Sequence, residues 1–380
     1  MSTEMLITNA RIVTSCRDFL GTLSVSNGRI ADLDEGVMRT LGAEDWQGDY
    51  LLPGFIEMHT DNLEKHLMPR PKVSWPEFPA LLAHDAEVAA AGITTVYDAL
   101  GVGDVDEAAL RGTNMAGLLQ CIDRAEAAGL LRADHYLHVR CELPAPNTIS
   151  LFEPFAKSPR VGLISLMDHT PGQRQWTNVE QARVYYTGKK GWSDEKFDSV
   201  VAESRDLQQR YSGPHRRYFI QYAHQQEIPL ASHDDTTPEH VSEAYQEGIA
   251  VSEFPTTLAA ARAARQHDLG VVMGAPNVVR GGSHSGNVAA TSLAREGLLD
   301  ALSSDYVPSS LLNAAFMLAD QCGFTISQAV NTISLNAAQC LQLRDRGEIA
   351  IGKRADFSRV RRVDGSPSVI AVWRGGKRIA

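Results

Sequence analysis

This 380-residue chain predicts an α/β fold, a parallel (β/α)8 barrel with a small β domain built from both chain ends. Three observations carry that expectation. Strand-like and helix-like segments alternate through the middle of the chain, both ends read as short strands between turns, and His, Asp and Glu recur at predicted strand ends. Alternating strands and helices mark a parallel sheet, and the active-site groups of such barrels sit at the C-terminal ends of the strands.

At the N-terminus, Leu6-Ile7, Arg11-Ile12-Val13, Thr22-Leu23-Ser24-Val25 and Arg29-Ile30-Ala31 are short apolar segments. Asn27-Gly28 supplies a hairpin turn between the last two. The C-terminus has the same character: Gly347-Glu348-Ile349 and Gly352-Lys353-Arg354-Ala355-Asp356 are followed by Ser368-Val369-Ile370-Ala371-Val372-Trp373 and a Gly375-Gly376 turn. Residues 1–52 and 343–380 are therefore expected to form the small β domain, and residues 53–342 the barrel. Its eight predicted strands end near His59, Asp98, Glu142, His169, His233, Phe254, Pro276 and Asp305. Between them the Ala/Leu-rich run 80–91 predicts a helix stopped by Gly92, and Thr237-Pro238 reads as an N-cap followed by proline at the first helical position.

Composition narrows the class. Hydrophobic residues make up 43% and charged residues 22%, as in globular enzymes. No run approaches the length of a membrane span, and Glu4 stands where a signal peptide would carry basic residues, so the expectation is a cytoplasmic protein with no membrane partner. Five cysteines, odd in number and without a Cys-X-X-Cys, argue against a disulfide framework and a thiolate zinc site. Cys141, beside Glu142, reads as a strand residue facing away from the site rather than a nucleophile. The net charge of -10 speaks against a nucleic-acid surface, and an anionic substrate would need cations concentrated locally. Exposed apolar surface would allow a homo-oligomer, although no segment marks an interface.

The candidate chemistry begins at His59-Thr60-Asp61-Asn62, at the end of an apolar run. Residues i and i+2 of a strand point to one side, so His59 and Asp61 would present an imidazole and a carboxylate together. With Glu142, His169, His233 and Asp305 they form a set of six nitrogen and oxygen donors at strand ends. Such a set suits zinc, manganese, iron or nickel, and six donors suffice for two ions about 3.5 to 4 Å apart that could generate hydroxide and neutralise a reacting oxygen. Asp305 is read as ligand or general base, against a helix N-cap. Asp234 and Asp235 could hold the second nitrogen of His233, and Glu253 is expected behind the ligands. Glu142 and His169 are read as ligands, against pairing roles. His84, His135, His138, His215, His224 and His267 are read as structural or surface residues. Cationic loops follow strands one, four and seven, with Arg70, Lys72, Arg174 and Arg280. Gly281-Gly282 is expected to let backbone N–H groups approach a phosphate, and Arg280 offers a bidentate fork.

The motifs Leu52-Pro53-Gly54-Phe55-Ile56-Glu57-Met58-His59-Thr60-Asp61-Asn62, Arg140-Cys141-Glu142-Leu143-Pro144, Ser165-Leu166-Met167-Asp168-His169-Thr170-Pro171-Gly172-Gln173-Arg174-Gln175, Ala231-Ser232-His233-Asp234-Asp235 and Gly274-Ala275-Pro276-Asn277-Val278-Val279-Arg280-Gly281-Gly282-Ser283-His284-Ser285-Gly286-Asn287 resemble the amidohydrolase superfamily. Within it they are similar to the branch that serves the carbon–phosphorus lyase pathway of phosphonate breakdown, over nearly the whole chain. The resemblance implies a metal-dependent (β/α)8 barrel with a small β-sandwich, and one or two divalent ions, zinc foremost. It implies diphosphatase activity that converts α-D-ribose 1-methylphosphonate 5-triphosphate to the 5-phosphate and pyrophosphate. It also implies a substrate-binding set of Arg70, Lys72, Arg174, Arg280, Asn277, Ser283 and His284, with Asp305 as catalytic base.

Four departures from the superfamily pattern stand out. Strand one ends in His-X-Asp rather than His-X-His, residues 161–170 hold no lysine to bridge metals, and Glu253 stands where many relatives have histidine. In addition, residues 355–360 interrupt a usually apolar strand. A rival reading on the same scaffold is a metal-dependent deacylase or cyclic amidohydrolase acting on a polar or sugar-like amide, which would need fewer cations. A non-catalytic relative would be missing ligands, and here the candidate set is intact.

Overall fold

The computed structural model describes residues 4–38, 40–70, 73–103, 115–174, 179–283 and 286–380. The chain divides into two compact units, one of residues 1–98, 120–136 and 273–380, the other of residues 99–119 and 137–272. Five strands come first: β1 (Met5–Val13), β2 (Asp18–Ser26), β3 (Arg29–Glu35), β4 (Glu44–Asp45) and β5 (Tyr50–Pro53). Eight follow between helices: β6 (Phe55–Thr60), β7 (Ile93–Val102), β8 (Asp134–Glu142), β9 (Val161–Met167), β10 (Leu230–His233), β11 (Val251–Glu253), β12 (Gly270–Gly274) and β13 (Ala301–Ser303). The last three are β14 (Phe357–Val363), β15 (Ser366–Arg374) and β16 (Lys377–Arg378).

Strands from both chain ends share one sheet, in the order β16-β15-β14-β5-β1-β2-β3, with β4 paired to β1. Its core is aromatic. Trp46, Phe357 and Trp373 are buried together, with the two indoles stacked at 5.4 Å between centroids. Asn27 and Gly28, at φ 52° and 74°, supply the two left-handed positions that a tight β2–β3 hairpin requires. The two N-terminal segments before Thr14 are one strand, β1, whose register shifts between Ile7 and Ala10 around left-handed Asn9.

Two sequence expectations fail at the other end. Residues 347–349 form no strand, although Ile349 is still buried in the core. Residues 355–360, read as interrupting an apolar strand, contain the start of β14, which lies between β5 and β15. Its polar positions are satisfied, because Arg359 and Arg361 converge on Asp49, at 2.6 and 2.9 Å.

The other sheet runs in sequence order from β6 to β13, and a parallel bridge between Thr60 and Asp305 brings the first strand beside the last. This is the expected eight-stranded barrel. Four expected strand ends shift by two residues or more: β7 runs past Asp98 to Val102, β9 stops at Met167, leaving His169 in the following loop, β12 stops at Gly274, before Pro276, and β13 stops at Ser303, leaving Asp305 two residues beyond. The helix Pro238–Gln246 starts as predicted, with the Thr237 side chain accepting from His240 N. The helix Asp194–Gln226 was not read from the sequence. It continues through Pro214, and Phe152 meets Phe219 and Tyr222 edge-on at 5.1 and 4.9 Å. No helix among the described residues is long and apolar enough to cross a membrane.

Candidate metal centre

The ends of β6 and β13 are joined through one buried carboxyl. Glu57 Oε1 accepts from His59 N and Oε2 from Ser304 N, each at 2.8 Å. Burial pushes the Glu57 carboxyl up to about 7, with the donors from Ser304 and His59 pulling against it. Beyond it, the Asp305 carbonyl accepts from Thr60 Oγ1 at 2.7 Å and from Asp61 N at 3.0 Å, and Asp305 N donates to His59 O at 3.1 Å. These bonds hold His59, Asp61 and Asp305 at one strand end, with Asp305 in the left-handed region at φ 55°. Asp61 Oδ1 is buried and has no hydrogen-bond partner among the described residues. A buried carboxylate oxygen left unpaired is costly unless a cation completes it, so this donor set fits a metal ion.

A second group forms in the other unit. His169, in the loop after β9, is clamped by Glu142 at the end of β8: Oε1 accepts from His169 N at 3.0 Å and Oε2 pairs with Nδ1 at 2.5 Å. Burial disfavours a charged imidazole, but Glu142 and Asp234 outweigh it and raise the His169 pKa. His233, at the end of β10, pairs Nδ1 with Glu253 Oε2 at 2.7 Å, and its Nε2 lies 3.6 Å from Asp234 Oδ2. One ligand atom each of His169, His233 and Asp234 lies within 4.8 Å of the others. The structure therefore brings Glu142, His169 and His233 together and adds Asp234. Glu142, expected as a ligand, directs both oxygens at His169.

Asp234 was read as a partner for His233 and not as a further donor, because strand alternation would turn it away from His233. Its φ of 56° breaks the alternation at the strand end. Of the two acids expected to hold a nitrogen of His233, Asp234 lies beside Nε2 at 3.6 Å, whereas Asp235 does not reach the ring and Glu253 takes Nδ1. Asp235 accepts instead from Ser232, Ser252 and Arg174.

The cationic positions divide. Arg174 is buried, paired with Asp235 and 3.7 Å from Glu243, so its charge is already matched within the protein. Arg70 and Arg280 are exposed, and Ser283 is half-buried. The glycine pair is corrected too. Gly281, at φ 79°, caps the helix Ala275–Arg280, and the N–H groups of Gly281 and Gly282 donate to Val278 O and Asn277 O rather than waiting for a ligand. The Asn277 side chain fastens the same loop, accepting from Ala290 N at 2.9 Å and donating to Val288 O at 3.3 Å. Lys72 and His284 lie outside the described residues.

A further buried cluster appears around Asp98 on β7. His84 Nε2 and His135 Nδ1 each lie 2.7 Å from an Asp98 oxygen, and His135 Nε2 lies 3.3 Å from Asp85. His84 Nδ1 faces the amide nitrogen of Asn62, which also donates to Glu87 at 2.8 Å. These histidines, read from the sequence as structural or surface residues, form one network ending next to Asp61, and one ligand atom each of His84, Asp98 and His135 lies within 4.8 Å of the others. Burial drives the Cys141 thiol pKa upward, in keeping with an inert residue.

A barrel with imidazole and carboxylate donors at its strand ends defines a class, and comparison with known proteins identifies it. The amidohydrolase family model matches residues 193–379. Among solved structures, 5-methylcytosine deaminase from Klebsiella pneumoniae superposes with a TM-score of 0.64 at 16% identity, covering 99% of this chain and 98% of that one. N-acetyl-D-glucosamine-6-phosphate deacetylase from Mycobacterium smegmatis gives 0.63 at 16% identity, covering 99% and 100%. The chain belongs to the amidohydrolase family, whose members are metal-dependent hydrolases. Over 377 residues, 99% of this chain and 100% of the relative, it is 48% identical to alpha-D-ribose 1-methylphosphonate 5-triphosphate diphosphatase of Escherichia coli (strain K12).

Proposed function

We propose that this protein hydrolyses α-D-ribose 1-methylphosphonate 5-triphosphate to the 5-phosphate and pyrophosphate, in the cytoplasm, as a step of phosphonate breakdown. The observation that carries the reading is the 48% identity to the named diphosphatase along its entire length. Residues 53–342 are the catalytic barrel in this reading, and residues 1–52 and 343–380 the small β domain.

His59, Asp61, His169, His233 and Asp305 would hold one or two divalent ions, zinc foremost, with Asp234 as an added donor and Glu142 as a ligand or as the residue that positions His169. Bound metal supplies Lewis acidity and charge neutralisation at the phosphorus oxygens. The chain's own residues do the rest. Glu142 and Glu253, each on a histidine Nδ1, fix ring orientation and leave Nε2 as the ligating atom. Asp305 takes the proton from the attacking water. Arg280, exposed at the end of the helix Ala275–Arg280, and Arg70, exposed beyond β6, meet the outer phosphates of the substrate.

The test is phosphorus NMR of metal-loaded protein incubated with the ribose triphosphate, beside a chelated control. Pyrophosphate and the 5-phosphate appearing only with metal is the expected result. Absence of turnover at confirmed metal content would overturn the reading and direct the next screen to amides.

A further inference from the structure

Among the described residues, no carboxylate is paired with Arg140. Arg140 lies on β8, paired in register with Ser165 on β9, two residues before Glu142. Strand alternation therefore sends Arg140 and Glu142 to the same face, while the fully buried Val139 and Cys141 point to the other. The guanidinium is only partly exposed, its Nε is buried, and that atom has no hydrogen-bond partner among the described residues.

Its neighbours in the same unit behave differently. Arg174 is matched by Asp235, and Arg216 by Glu247 at 2.6 Å. An arginine stays charged in a protein, and a partly desolvated charge is retained where something pairs with it. The nearby acids are committed elsewhere. Glu142 is turned to His169, and Glu253 accepts from His233 and from Ser165 Oγ at 2.9 Å. Two residues on along the same face, Glu142 holds His169 with both carboxylate oxygens. A guanidinium beside a group that fits a metal ion places two cations close together, and an anion between them removes the repulsion. The planar fork of arginine matches phosphoryl oxygens.

We propose that Arg140 is a substrate-binding residue whose guanidinium receives a phosphoryl oxyanion of the polyphosphate at the His169–His233–Asp234 group. The inference rests on the hydrolase reading above for its substrate, but the anion site has its own readout. Calorimetry with inorganic pyrophosphate on zinc-loaded wild type, Arg140→Met and Arg140→Lys tests it, with zinc content and melting temperature measured on each. Arg140→Met is expected to bind pyrophosphate about 10- to 100-fold more weakly, the range for a lost charged hydrogen bond, and to raise KM for the triphosphate by a similar factor. Zinc content is expected to hold. Arg140→Lys keeps the charge without the fork and should fall in between, about threefold or more below wild type. Pyrophosphate affinity in both variants equal to wild type, at equal zinc content, overturns the proposal. If methionine prevents folding, the lysine variant decides alone by the same criterion. Wild type that fails to turn over the triphosphate counts against the hydrolase reading, whereas active wild type matched by Arg140→Met counts against Arg140.

Discussion

Alkaline pH should destabilise this protein through His135. Both ring nitrogens face carboxylates, Nδ1 toward Asp98 at 2.7 Å and Nε2 toward Asp85 at 3.3 Å, so each carries a hydrogen and the ring is an imidazolium. Burial opposes the charge, but Asp98 and Asp85 overcome it and lift the pKa to about 9. In the unfolded chain the value is about 6.5. The folded pKa is the higher, so the stabilisation is fully present below pH 6.5 and is lost as pH rises through 9. At about 1.4 kcal/mol per pH unit the loss is on the order of 3 kcal/mol, close to the roughly 3–5 kcal/mol for breaking a buried pair. Urea denaturation followed by circular dichroism, on metal-free protein at several pH values between 6 and 10, measures it. Wild type should lose stability across this interval. His135→Gln, which keeps one N–H donor and does not titrate, should start lower and change little. An equal alkaline loss in both proteins would refute the assignment of charge to His135.

The remaining predictions concern the site. His59→Ala and His233→Ala should each lower metal content and activity together, and normal metal occupancy in either removes that residue from the ligand set. Glu253→Gln should weaken metal affinity about 10- to 100-fold, because His233 Nδ1 loses its charged partner; competition with a chromophoric chelator reads this directly. Arg174→Ala should cost about 3–5 kcal/mol by leaving Asp235 buried without its cation, seen as a lower melting temperature. A stable Arg174→Ala that instead loses pyrophosphate binding would return Arg174 to the substrate. Arg280→Ala should weaken phosphate recognition while leaving metal in place, and an unchanged rate of pyrophosphate formation at limiting substrate would exclude it.

The barrel was legible because strand and helix periods differ and because donors fell at the predicted strand ends. His59, Asp61 and Asp305 could be placed near strand ends for the same reason, although Asp61 and Asp305 lie just past the ends of β6 and β13. What could not be read is which neighbour each charged group takes. Glu253 reaches His233 from the next strand, and Arg174 meets Asp235 across 61 positions of sequence, so local context gave no sign of either pairing. That Asp234 would stand as a donor beside His233 was concealed by its own left-handed backbone. Gly281-Gly282 looked like an anion cradle because a helix C-cap and a phosphate loop use the same residue type. The helix Asp194–Gln226 was obscured by Ser212-Gly213-Pro214, which reads as a break until aromatic packing against Phe152 holds the segment helical.

The carboxylates of the site differ in function because they differ in donors. Glu57 takes two backbone N–H groups, Glu142 and Glu253 take histidines, and Asp235 takes an arginine and two serines. Each is thereby satisfied inside the protein and serves to hold something else. Asp61 Oδ1 and Arg140 Nε lack such partners although both are buried. Since a buried charge without a partner is expensive, these two atoms specify what the folded chain still requires, a cation for one and an oxyanion for the other. A metal ion would answer the first and a phosphoryl oxygen the second, whereas a neutral amide would leave Arg140 uncompensated. On this ground phosphorus is favoured over carbon as the atom attacked, a preference that stands apart from sequence identity to any relative.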